Sequence, residues 1–246
     1  MSIAETTQSP PSQGGRGLAV VLGVVLVALA AAAAYWFLGG GGGSSAAEGE
    51  AAKQLESLGA LVVKDGGQSY VASVNLSTIG SAESLAKAVE LLPALARLGS
   101  LDASRTAITD QQLATIGRLG SLTTLTLSET GVSDQGVNSL RSLDNLQSLS
   151  LSSTGVSDAA FFDLADLREL RVLDLANTKV SRDLAPLAQL PRLEWLVLRG
   201  LTLADDALSQ LAACDSLQRL SLEESKYSPE SLTALEQKMP SLKVDR

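Results

Sequence analysis

An α/β solenoid is the fold class this sequence predicts, with parallel strands along one face, short helices along the other, an N-terminal helix and β-hairpin cap, and one separate transmembrane helix. Three observations predict it. One spelling, Leu-x-x-Leu-x-Leu-x-x-Thr-x-Val-Ser-Asp, recurs with some decay in six registers that start at Leu98, Leu122, Leu146, Leu170, Leu193 and Leu217, at spacings of 24, 24, 24, 23 and 24 residues. Within each copy the leucines alternate and then fall three apart, which is a strand followed by a helical or 3-10 turn. An uncharged run, Leu18 to Leu38, stands apart from the repeats behind a stretch of glycines.

Residues 1–17 form a short Pro/Ser/Gln-rich tail, read as cytoplasmic and disordered. Residues 18–38, LAVVLGVVLVALAAAAAYWFL, carry no charge and span about 31 Å as a helix, the thickness of a bilayer core. Arg16 precedes the run and Tyr35, Trp36 and Phe37 close it as an interfacial belt, so the repeats are placed outside the cytoplasm, on the periplasmic side of an inner membrane. Cleavage as a signal peptide, near the small residues Ala30 to Ala34, is the alternative, although the run is longer than a signal's apolar core. No cysteine follows for a lipoprotein anchor. Residues 39–46, with five consecutive glycines and two serines, read as a linker.

Residues 47–70 read as the cap that a repeat array needs at its open end. AEGEAAKQLESL has helical composition, and Leu61-Val62-Val63, a Lys64-Asp65-Gly66-Gly67 turn and Tyr70 to Val74 spell a hairpin. From residue 71 to 246 the repeats follow, the first irregular one entering through Val74, Leu76 and Ile79. Copies match position by position: Leu122, Leu125, Leu127, Thr130, Val132, Val137, Leu140, Leu143, then Leu146, Leu149, Leu151, Thr154, Val156, Phe161, Leu164, Leu167. Thr109-Asp110, Ser133-Asp134 and Ser157-Asp158 stand where helix N-caps belong and carry no catalytic role. Met239, Leu242 and Val244 read as a closing strand.

These segments resemble the leucine-rich repeat family, whose core pattern is Leu-x-x-Leu-x-Leu-x-x-Asn/Cys-x-Leu, over residues 71 to 244. Thr106, Thr130, Thr154 and Thr178, with Ser225 near the end, stand where the family has asparagine or cysteine. The Thr-x-Val-Ser-Asp variant is similar to bacterial members, and in spacing to the cysteine-containing repeats of F-box proteins, though no F-box-like module precedes the repeats. The resemblance implies a curved solenoid whose strand face binds proteins or other macromolecules.

Composition argues against several functions. The net charge of -8 resides in the cap and repeats together, because Glu5 and Arg16 cancel in the tail, and nucleic acid would demand a basic stripe. The chain has no histidine, so a Ser-His or Cys-His nucleophile is impossible. Zinc ligands are too few and no phosphate-binding lysine loop is present. No enzyme activity, cofactor or metal is expected. Cys214, the single cysteine, takes an apolar helix position and reads as a buried small hydrophobe.

Binding is assigned to the strand face, through the third, fifth and seventh positions of each unit. The third row reads Ser100, Thr124, Ser148, Val172, Trp195, Arg219, the fifth Asp102, Thr126, Ser150, Asp174, Val197, Ser221, and the seventh Ser104, Ser128, Ser152, Ala176, Arg199, Glu223. Hydroxyls fill the first half, and an apolar and basic patch the second. Trp195, with Val172, Val197, Arg199, Arg219 and Asp174 around it, has the make-up of an interface hot spot for a protein partner. The same residues also fit a solvated surface, with Arg219 stacked on the indole and Asp174 holding Arg199. Glycan on the hydroxyl-rich strands is a further ligand class, and assembly through the membrane helix, where Ala19 and Gly23 lie four apart, is the structural alternative.

Overall fold

The computed structural model describes residues 46–66 and 70–246. The apolar run Leu18 to Leu38, its tail and its linker through Ser45 lie outside the described residues. Among those described, no helix is long and apolar enough to cross a membrane.

Alternating leucines become strands because only a pleated backbone puts every second side chain on one side. Nine strands form one sheet in chain order: β1 (Leu61–Lys64), β2 (Val71–Asn75), β3 (Ser100–Asp102), β4 (Thr124–Thr126), β5 (Ser148–Ser150), β6 (Val172–Asp174), β7 (Trp195–Val197), β8 (Arg219–Ser221) and β9 (Lys243–Asp245). β1 pairs antiparallel with β2, as the hairpin spelling predicts, and every later pair is parallel. The register is one unit per strand, so Ser100, Thr124, Ser148, Val172, Trp195, Arg219 and Lys243 lie side by side.

The returning chain supplies α1 (Ala46–Ser57), α2 (Ala82–Leu91), α3 (Asp110–Ile116), α4 (Asp134–Asn138), α5 (Phe161–Leu164), α6 (Ala207–Gln210) and α7 (Pro229–Lys238). Short 3-10 turns fill out the other return segments, and Ala185–Gln189 is 3-10 throughout, with Pro186 in its first turn. One continuous core runs from Ala51 to Leu235 between strands and helices. Leu101, Leu125, Leu149, Leu173, Leu196 and Leu220 are fully enclosed in it. Each repeat contributes a slice that its neighbours cover, which is why the stack and not the single unit is stable.

The recurrent polar residues join these slices. Asp110, Asp134 and Asp158 open helical segments at the place read as an N-cap, yet their carboxylates reach into the following repeat. Asp110 accepts the amide and hydroxyl of Ser133 at 2.8 and 2.6 Å, and Asp134 those of Ser157 at 2.7 and 2.6 Å. Asp158 does the same for Ser181 at 2.9 and 3.4 Å. The clamp ends at the next register, where Ala204 has no hydroxyl and its amide bonds the Ser181 carbonyl instead.

The threonines close the turn after each strand by donating to the carbonyl three residues back: Thr106 to Ala103, Thr130 to Leu127 and Thr154 to Leu151, each at 2.6 Å, and Thr178 to Leu175 at 2.7 Å. In the next repeat Leu201 occupies this position. Ser225, one repeat further on, donates to the orphaned Leu198 carbonyl at 2.7 Å and accepts from the Leu201 amide at 3.3 Å.

Between strand and turn the backbone passes through the left-handed region at Arg105, Glu129, Ser153, Asn177 and Glu224, with φ of 54 to 62°. Gly200 fills that place in the fifth register at φ 72°, where a Cβ would lie 2.0 Å from Asn177 Oδ1 and push that side chain aside. At the N-terminal end, buried Glu48 of α1 accepts the Val71 amide at 2.8 Å and docks the cap on β2. At the other end the closing strand is Lys243–Asp245, whereas Met239, read as part of it, ends α7.

Candidate functional site

The strand face is far more closed than its outward register suggests. Thr124, Ser148, Val172, Ser150, Asp174, Val197, Ser221 and Ala176 are all buried. Parallel strands lie about 4.8 Å apart, so a small side chain between larger neighbours in its row is roofed by them. Val172 and Val197 therefore underlie the patch rather than form its surface, being 4% and 2% exposed. What remains accessible toward the C-terminal end is half-buried Trp195 and Arg199, with exposed Arg219 and Lys243.

Strand register brings most of the predicted residues together. Trp195 sits between Val172 and Arg219, and Val197 between Asp174 and Ser221. The Arg219 guanidinium carbon stands 4.7 Å from the centroid of the indole, a cation-π contact. Trp195 Nε1–H donates to Ser221 Oγ at 3.2 Å. Arg219 Nε donates to Asp245 Oδ2 at 2.7 Å, and Ser221 Oγ lies 3.4 Å from the same oxygen. The indole is thus fixed on its face and at its nitrogen.

Asp174 does not hold Arg199 in an ion pair. Its carboxylate accepts the Ser150 hydroxyl at 2.9 Å and the Ala176 amide at 3.0 Å. Burial raises its carboxyl above the ordinary range, opposed by those two hydrogen bonds and by the nearby charge of Arg199. Among the described residues no salt bridge engages Arg199.

The hydroxyl-rich half is occupied with itself. Ser128 and Ser150 share a hydrogen bond at 2.8 Å, which continues to Asp174, and Asn75 Nδ2 donates to Asp102 at 3.1 Å. Cys214 is 1% exposed, and burial together with Asp215 pushes its thiol up to about 11. Asp245 is the site residue that the sequence reading passes over. Counting one further register of 24 from Leu217 lands on Ser241 and places Lys243 and Asp245 in the third and fifth rows, but the leucine that marks a register is missing there.

Internalin C2 from Listeria monocytogenes is 30% identical to this chain, with a TM-score of 0.50, over 59% of this chain and 61% of its own length. A leucine-rich repeat protein from Leptospira interrogans superposes with a TM-score of 0.53 at 21% identity, over 64% of this chain and 45% of its own. The chain has the fold of a leucine-rich repeat protein. It spans less than two thirds of each of those two proteins, 61% and 45%. Neither a protein-family model nor a curated protein matches the sequence.

Proposed function

We propose that this leucine-rich repeat protein is a non-catalytic recognition module of bacterial type, held at a membrane by Leu18 to Leu38, that captures a protein partner on the C-terminal half of its strand face. The observation that carries the reading is Trp195: a large aromatic side chain half-open on that face, already fixed by Arg219 and Ser221. An anchor ordered before binding loses little side-chain entropy on association, and aromatic and arginine residues dominate hot spots. Arg199, further along the same repeat and without an ion pair among the described residues, supplies donors for a carboxylate or carbonyl of the partner. Tethering would raise the effective concentration toward partners in the same membrane.

The reading is tested by proximity labelling from intact membranes, with the wild-type chain against a Trp195→Ala/Arg199→Ala variant whose fold is checked by circular dichroism. A protein set labelled by the wild type and lost from the variant supports strand-face capture. Identical sets from both overturn it and redirect attention to assembly through the apolar run or to glycan on the hydroxyl-rich strands.

A further inference from the structure

The last strand, β9, reaches the Trp195 site across an intervening strand. Asp245 Oδ2 takes the Arg219 Nε–H at 2.7 Å and stands 3.4 Å from Ser221 Oγ, which donates to it. The far sides of those same two residues meet the indole: the Arg219 guanidinium lies over its ring, and Ser221 Oγ accepts its Nε1–H. One carboxylate therefore fixes both groups that fix the tryptophan. Without it the arginine regains the rotamer freedom of a long side chain, and the serine hydroxyl loses the acceptor that aims its lone pair at the indole.

We infer that Asp245 is a positioning residue for Trp195, setting the indole's orientation on the strand face through Arg219 and Ser221. The functional meaning of this arrangement rests on the reading of Trp195 as the partner anchor, but the positioning itself is measurable with no partner present. The Arg219 and Asp245 side chains are 49% and 36% exposed, so water and salt compete with the pair and the effect is moderate.

The test uses the full chain in mild detergent with Trp36→Phe, which leaves Trp195 as the sole tryptophan of the two in the sequence. Asp245→Asn retains the main-chain bond from the Leu222 amide to the Asp245 carbonyl, 2.7 Å, so β9 stays paired. It is expected to raise acrylamide quenching of Trp195 about two-fold, the size set by an exposed ion pair, and to weaken the near-ultraviolet dichroism of the indole. Asp245→Glu restores part of both signals. In an Arg219→Ala/Ser221→Ala background Asp245→Asn has no further effect. Unchanged quenching in Asp245→Asn, or a change of equal size in that background, overturns the inference. Should Trp195 prove irrelevant to partner capture while quenching still follows this pattern, the functional reading fails and the positioning stands.

Discussion

Asp134 of one repeat holds both the amide and the hydroxyl of Ser157 in the next, at 2.7 and 2.6 Å. The aspartate that reads as a helix start is thus an inter-repeat clamp, and it stabilises the interface that a solenoid depends on. Asp134→Ala leaves the part-buried Ser157 amide without its acceptor and is expected to cost about 1–3 kcal/mol. Asp134→Asn, which keeps one oxygen acceptor, loses less. Urea midpoints of the two variants against wild type check the order.

Ser225 covers for Leu201. Because its hydroxyl is the partner of both the Leu198 carbonyl and the Leu201 amide, Ser225→Ala orphans two main-chain groups at once, for a loss of about 1–3 kcal/mol. Thr106→Ala orphans the Ala103 carbonyl alone and is expected to be milder. A thermal-melt comparison of the two substitutions decides it, and equal shifts would show that Ser225 does no double duty.

Asp174 makes stability depend on pH with an inverted sign for an acid. Its carboxyl is raised by burial, so the folded state binds the proton more tightly than the unfolded chain does. That contribution is fully present below the unfolded pKa, about 3.9, and is lost as pH rises through the folded value. Asp174→Asn, which still accepts the Ala176 amide, is therefore expected to melt higher than wild type at neutral pH, with the gain closing as the pH falls through the folded value and gone by about 4. A gain that stays constant across that window would assign it to something other than the charge.

Cys214 is buried with its thiol pushed up to about 11, so neither thiolate nor access is provided at neutral pH. Iodoacetamide or a disulfide reagent is expected to leave it untouched in the folded chain and to modify it fully in denaturant. Rapid modification of the native chain would show that the 3-10 turn it caps, Leu211–Ala213, opens locally.

Much of this architecture is legible in the chain itself, because a leucine period near 24 residues dictates strand rows, and the rows give the register that places Trp195 between Val172 and Arg219. The burial of Val172, Val197 and Asp174 is not legible, since it depends on which side chains stand beside them in neighbouring strands. Nor is the clamp, whose two halves lie 23 residues apart and whose aspartate has a sound local reading as a cap. Asp245 escapes because the last register has lost its leucine to Ser241, and hydrophobic periodicity is blind to a copy that keeps only its outward residues.

The claim that the C-terminal strand face captures a protein is tested most directly by photo-crosslinking from two positions of the full chain in the cells that express it. One crosslinker replaces Lys243, exposed on the strand face next to Arg219 in register, and the other replaces Phe162, 69% exposed on the helix side. Discrete protein adducts from position 243, abolished by Trp195→Ala, and none from position 162 are the predicted result. Adducts from position 162 alone, or from position 243 with no dependence on Trp195, would contradict it.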